Sequence, residues 1–253
     1  MSRSFKDALL NHNLTLGTWL QVGHPACAEI LAHAGFDWLC VDLEHGDVDL
    51  ESATVLFRTL SAFDCTAMAR LPANDPIWIH RILDAGAQGL IVPMVTTAAQ
   101  AEEAVRQAKY PPRGVRGFGY SRANRYGERF DDYVSSANDD ITMVMQIEHV
   151  DAIANLEEII AVDGVDALFI GPYDLSGSMN VPGQMDHPDV RAALDTYYET
   201  CSRLGMVAGA HIVRPTRQNV QEAVDRGCTF VALGVDTVFL HQAATLALDC
   251  VGD

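Results

Sequence analysis

The 253 residues suit one large domain, and a hydrophobic content of 49% is ample for a core. A formal net charge of -17 argues against nucleic acid or anionic membrane as a partner, because both are held by clustered Lys and Arg. A small anionic substrate stays open, since it meets only a local field. Met1 to Asn13 lacks the apolar core of a signal peptide, and no stretch reaches the ~18 apolar residues of a membrane span, so a cytoplasmic protein is expected. The six cysteines, at 27, 40, 65, 201, 228 and 250, form no C-x-x-C and lie mostly in apolar runs, which points to buried thiols rather than disulfides.

From Leu14 onward, short apolar runs alternate with amphipathic segments, joined by turns such as Ala34-Gly35, Ala85-Gly86, Asp163-Gly164 and Arg226-Gly227. Strands are predicted at 15–22, 37–43, 66–71, 89–95, 142–148, 166–171, 206–213 and 229–235. The helices between them carry one apolar stripe each. Ala152, Ile153, Leu156, Ile159 and Ile160 share a face in one; Val190, Leu194, Tyr197, Tyr198 and Cys201 share a face in the next. Pro76 after Asn74-Asp75, and Pro188 before Asp189, mark helix starts. Eight such units predict an α/β fold of the (β/α)8 TIM-barrel type over 1–253, with a doubly wound open sheet as the alternative. The absence of G-x-G-x-x-G and G-x-x-x-x-G-K-[ST] removes the usual nucleotide-binding reasons for the open sheet. Residues from Tyr110 to Asp140 break the rhythm with Pro111-Pro112, four glycines and five arginines, and read as an Arg/Gly-rich loop insertion. That loop is either a solvated basic surface or a segment that reaches a neighbouring subunit's site.

Active sites of such barrels gather at the C-terminal strand ends. There the sequence places Asp42, Glu44 and His45 after the second strand, Arg70 on the third, Gln146 and Glu148 on the fifth, and Asp174 after the sixth. Glu148 and Asp174 are hard oxygen ligands suited to Mg2+ or Mn2+, with Co2+ or Zn2+ as alternatives. A 2-oxo acid can chelate such an ion, which then stabilises an enolate. Arg70 adds positive charge at that oxygen, the amides of Gly171, Tyr173 and Asp174 offer donors to a carboxylate, and His45 is the natural acid or base. Asp84 either orients His45 or is a helix-end charge. The only lysines, Lys6 and Lys109, lie off the predicted strands, so a Schiff-base route to the same carbanion has no residue to carry it.

Several segments in order, among them Gly17-Thr18-Trp19-Leu20, Val41-Asp42-Leu43-Glu44-His45-Gly46, Leu83-Asp84-Ala85-Gly86, Tyr110-Pro111-Pro112-Arg113-Gly114, Gln146-Ile147-Glu148 and Gly171-Pro172-Tyr173-Asp174-Leu175, resemble the HpcH/HpaI family of class II pyruvate aldolases. The resemblance implies a metal-dependent lyase that reversibly cleaves a 4-hydroxy-2-oxo acid into pyruvate and an aldehyde. It also implies a homo-oligomer built from dimers that exchange the last helix, up to a hexamer. It assigns Glu148 and Asp174 as metal ligands, His45 with Asp84 as the acid/base pair, and Arg70 as the enolate-stabilising arginine. Gln146, Trp19 and Asp42 line the substrate site, and the backbone of Gly171 and Tyr173 holds the carboxylate. Tyr173, His211 and Arg214 depart from the family's small or apolar residues; Arg214 either reads a distal group of the substrate or is a surface arginine. The rivals left open are an oxaloacetate decarboxylase, a CoA-ester lyase on the same fold and a non-catalytic 2-oxo-acid-binding barrel.

Overall fold

Each apolar run forms a strand. The structure, a computed structural model describing residues 5–250, closes eight parallel strands into a barrel in chain order. They are β1 (Thr15–Leu20), β2 (Trp38–Asp42), β3 (Thr66–Arg70), β4 (Gly89–Val92), β5 (Thr142–Ile147), β6 (Ala167–Ile170), β7 (Val207–Ile212) and β8 (Cys228–Val235). Helices alternate with them, as expected for a (β/α)8 barrel. Every residue of β2, β4, β5 and β6 is buried, which is why these strands read as unbroken apolar runs rather than alternating ones.

Alternation decides which residues face which layer. Trp38, Cys40, Met68, Ile91, Val144, Ala167, Phe169, Val207 and Phe230 fill the barrel, while Leu39, Val41, Ala69, Leu90, Met145 and Leu168 join the outer core with the helices. The filling is tight enough to require two glycines. A Cβ on Gly17 would sit 2.0 Å from the Trp38 ring, and one on Gly209 would sit 2.7 and 2.8 Å from Phe169 and Phe230. One register step further up, the same inward-facing series continues as Asp42 beside Arg70, then Gln146 and His211. The chemistry sits on the layer where apolar filling stops.

The helix starts follow their signals. Asp75 accepts hydrogen bonds from the Ile77 and Trp78 amides, and His187 Nδ1 accepts from Asp189 N–H. Four features differ from the sequence expectation. A short helix, Phe5–Leu10, closes the barrel's N-terminal end with Leu9 fully buried and Phe5 edge-on to Phe230 at 6.3 Å. The predicted helix over 152–160 is two pieces, Val150–Ala154 and Leu156–Ile160, separated by Asn155, whose amide donates to Thr96 O. β4 ends at Val92 instead of 95, because Pro93 has no N–H and Met94 turns to φ 54°.

The fourth concerns the 110–140 insertion. Its last third is an α-helix, Phe130–Asp140, preceded by a 3-10 turn at Arg122–Gly127. Arg113, Arg125 and Arg129 are exposed, while two other arginines turn inward. Arg116 is buried between the rings of Tyr110 and Tyr133 and pairs with Asp84, Arg113 pairs with Asp139, and Arg122 donates to the carbonyls of Ala85 and Phe57. Arg116 and Arg122 strap the segment to its own barrel, and the Arg113–Asp139 pair closes the segment on itself.

All six cysteines are free, and four of them are buried. Among the described residues no helix is long and apolar enough to cross a membrane. The signal-peptide expectation falls partly on residues 1–4, which lie outside the described ones.

Candidate active site

The site is built around Asp42, which is fully buried at the end of β2. A buried carboxylate needs donors on both oxygens. Arg70, directly opposite on β3, gives a two-pronged pair, Nε to Oδ1 at 2.9 Å and Nη2 to Oδ2 at 2.6 Å. Gln21 Nε2 donates to Oδ2 at 3.0 Å, and the amides of Glu44 and His45 donate to Oδ1, each at 3.2 Å. Burial alone pushes Asp42 up, but the hydrogen bonds and charge of Arg70 outweigh it and hold the carboxyl below its ordinary range. Burial likewise opposes the charge on Arg70, and Asp42 reverses the effect so that its pKa rises. Arg70 is thus a fixed, permanent cation. Its guanidinium carbon lies 4.4 Å from the centre of the Trp19 ring, and His211 leans on Trp19 with ring centres 5.6 Å apart. His211 Nε2 lies 2.9 Å from Gly234 O; burial lowers its pKa to about 4, so the ring is neutral at pH 7 and its Nε2–H donates to that carbonyl.

Two strands along the same rim, Glu148 follows β5 and is 3% exposed. Its Oε1 accepts from Met94 N–H at 2.7 Å and its Oε2 from Gln146 Nε2 at 2.5 Å. Here the early end of β4 acquires its reason: the turn at Met94 aims an amide at Glu148. Gly171 makes room for that carboxylate, since a Cβ there would lie 2.9 Å from Glu148 Cβ. The Gly171 amide, which the sequence offers to a substrate carboxylate, donates within the chain to Ile147 O at 2.9 Å. With Pro172 next, the amides of Tyr173 and Asp174 are the donors that remain at the start of the helix Pro172–Ser178. Glu44 Nearby pairs with Arg70 at 3.3 Å; burial raises its pKa and the charge of Glu148 raises it further.

Whether these groups fit a metal ion is decided by their chemistry. Among the described residues no three His, Cys, Asp or Glu side chains are gathered around one point. Yet the charge of Glu148 repels that of Glu44, whose Oε2 has the Arg70 ion pair but no hydrogen bond, and the buried Gln146 Oε1 has no hydrogen-bond partner. Crowded carboxylates beside an orphaned oxygen favour a cation. An all-oxygen set anchored on Glu148 and the exposed Asp174 suits a hard divalent ion that keeps positions for water and substrate.

The remaining predicted residues fall as follows. His45 lies on the same rim, 61% exposed, with Nε2 3.9 Å from Glu44. Asp84 does not meet it within the chain: it occupies the last turn of the helix Pro76–Ala85, at the barrel's opposite end, where it pairs with Arg116 at 2.7 Å. Tyr173 is exposed, its ring bordering Gly183, so it turns outward along the rim instead of narrowing the pocket. Arg214 is exposed in the loop after β7. Both lysines are at the far end, Lys6 paired with Asp166 and Lys109 donating to Asn138 O and Ile141 O. The sequence places Glu44 on the rim without giving it a role, and it gives no place to Gln21. The signal for Gln21 was its position two residues past Trp19 on the inward face of the first strand.

Comparisons with known proteins give the family. The model of the HpcH/HpaI aldolase/citrate lyase family matches residues 15–243. The chain belongs to that family. It is 41% identical over 246 residues to a 4-hydroxy-2-oxovalerate aldolase of Rhodococcus jostii, covering 96% of this chain and 94% of the relative. A 4-hydroxy-2-oxo-heptane-1,7-dioate aldolase of Klebsiella pneumoniae is 40% identical, covering 96% of this chain and 92% of its own. The crystal structure of a family member from Burkholderia cenocepacia superposes with a TM-score of 0.93 at 33% identity, covering 98% of each chain. The protein is therefore an aldolase-type carbon-carbon lyase, and metal dependence is a general property of its family.

Proposed function

We propose that the protein is a divalent-metal-dependent aldolase that reversibly cleaves a 4-hydroxy-2-oxo acid to pyruvate and an aldehyde. The observation that carries this reading is the fixed Arg70 cation, clamped by Asp42, on the same barrel rim as the buried Glu148 carboxylate. Glu148 and Asp174 would hold the ion. When bound, it supplies positive charge to the oxygens of the 2-oxo acid. Arg70 supplies the protein's own charge to the 2-oxygen as the C3–C4 bond breaks and its electron pair moves into the enolate. Because Asp42 orients the guanidinium beforehand, no reorganisation is needed at that moment. The 4-hydroxyl proton leaves toward His45, the nitrogen base on the rim, and the carbonyl of the aldehyde forms. A proton returned to C3 completes pyruvate. Gln146 and Trp19 wall the pyruvate end, and the Tyr173 and Asp174 amides face its carboxylate. Arg214 and His211 lie toward the acceptor side.

The natural ion is Mg2+ or Mn2+ in this reading. The partner chain is a second copy of the protein, supported by the bare C-terminal helix Asp236–Asp249. The reading is tested by solvent deuterium exchange into the methyl group of pyruvate, followed by NMR on chelator-stripped protein with and without each ion. Ion-dependent exchange that disappears in Glu148→Gln and Asp174→Asn is expected. Exchange under no ion would sink it.

A further inference from the structure

Asp42 is held not only by Arg70 but from its other side by Gln21, and Gln21 is itself held at every polar atom that the structure engages. Its backbone N–H donates to both oxygens of Asp236, each at 3.1 Å, and the next amide, Val22 N–H, donates to Asp236 Oδ2 at 2.9 Å. Its side-chain Oε1 accepts from Thr237 Oγ1 at 3.2 Å, while Nε2 donates to Asp42 Oδ2 at 3.0 Å. The amide orientation follows from chemistry: an ionised Asp42 only accepts, so the NH2 end must face it, which leaves the oxygen for the threonine hydroxyl. Asp236 is 7% exposed and also accepts from Thr237 N–H at 2.8 Å. A continuous chain of hydrogen bonds thus runs from the first residues of the C-terminal helix, through Gln21 and Asp42, to the guanidinium of Arg70.

We propose that Gln21 is a positioning residue for Arg70, and that Thr237 acts through it. The inference rests on the reading that Arg70 stabilises the enolate. Asp42 Oδ2 has two side-chain donors, and the shorter, at 2.6 Å, comes from Arg70. Without Gln21, Oδ1 keeps the amides of Glu44 and His45 but Oδ2 is held by Arg70 alone, so the carboxylate loses the one side-chain donor that sets Oδ2 independently of the guanidinium it positions. A small misplacement of a charge aimed at a developing oxyanion is felt in the transition state and little in the ground state.

The test measures pyruvate deuterium exchange with the ion-loaded full-length enzyme. Gln21→Ala keeps the backbone amides that Asp236 binds, so it should fold, with a thermal midpoint only a few degrees below wild type. Its kcat should fall about tenfold, with the pyruvate KM within about twofold of wild type. Gln21→Glu should fall further, because it sets a second carboxylate against Asp42 in place of a donor. Thr237→Val should lower kcat about threefold, Thr237→Ser should restore it, and Thr237→Val should add nothing in the Gln21→Ala background. Arg70→Ala is run alongside. If it retains wild-type exchange, the catalytic reading falls and the inference falls with it. If Arg70→Ala is inactive but Gln21→Ala keeps wild-type kcat, or if the Gln21 and Thr237 losses simply add, the inference alone is overturned.

Discussion

At the scale of single residues, the site separates charge from shape. Arg70 has both: its fork matches the two oxygens of Asp42 and its face lies on Trp19. Lysine keeps the charge and loses the rest. Arg70→Lys should therefore reduce kcat for cleavage by roughly 100-fold or more, the scale of a lost oxyanion donor, while the folded protein is retained; a coupled pyruvate assay reads it. His211 makes a different prediction, because its ring is buried neutral. Its folded pKa is about 4 against 6.5 for the ordinary group. Between those values the unfolded chain binds more protons, so stability rises with pH across the window, is fully present above about 6.5 and is lost as pH falls through about 4. The loss is on the order of 3 kcal/mol. His211→Gln, which offers a neutral donor to Gly234 O, should flatten this part of the wild-type curve. Urea unfolding of both proteins at pH 7 and pH 4.5 checks it; identical pH slopes would refute it.

At the scale of elements, the barrel was legible because each strand is buried on both faces, and unbroken runs such as Leu90-Ile91-Val92 have few other readings. The strand-end carboxylates and Arg70 were legible for the same reason, each standing out against an apolar run. What the sequence hid was long-range. Nothing local shows that Met94 spends its amide on Glu148, that Arg116 and Arg122 fasten the insertion to its own barrel, or that Gly171 makes room for Glu148 by lacking a side chain. Asp84 is the instructive case, since spacing along the chain does not reveal that its helix carries it to the end of the barrel away from His45. Packing inside the barrel is equally invisible and equally testable. Gly209→Ala would place a Cβ 2.7 Å from Phe169, 2.8 Å from Phe230 and 2.9 Å from the backbone oxygen of Leu168. The rings can shift; the carbonyl cannot follow without bending β6. The substitution should cost about 1–3 kcal/mol, or several degrees in Tm for a chain of this size, and scanning calorimetry at fixed protein concentration measures it.

At the scale of the whole molecule, the C-terminal helix is the element the single chain does not explain. From Leu240 to Cys250 every residue is exposed, and Leu240, Leu246 and Leu248 are 69%, 67% and 74% exposed. A helix of 14 residues is marginal in water on its own, and most of these side chains are Leu or Ala, so its apolar surface calls for cover from a second copy. Against this stands a net charge of -17 on each chain, which repels copies at low salt. The two terms respond oppositely to ionic strength: salt screens the repulsion and leaves apolar burial intact. Sedimentation should therefore show an oligomer that is tighter at 0.5 M than at 0.05 M NaCl, and the triple substitution Leu240→Ser, Leu246→Ser and Leu248→Ser should shift it to smaller species at both. A wild-type protein that sediments as a monomer at high salt and micromolar concentration would show that the helix needs no partner. Because Asp236 and Thr237 begin that same helix and hold Gln21, the association state and the setting of Arg70 share one element, and dissociation by the triple variant should lower kcat along with mass.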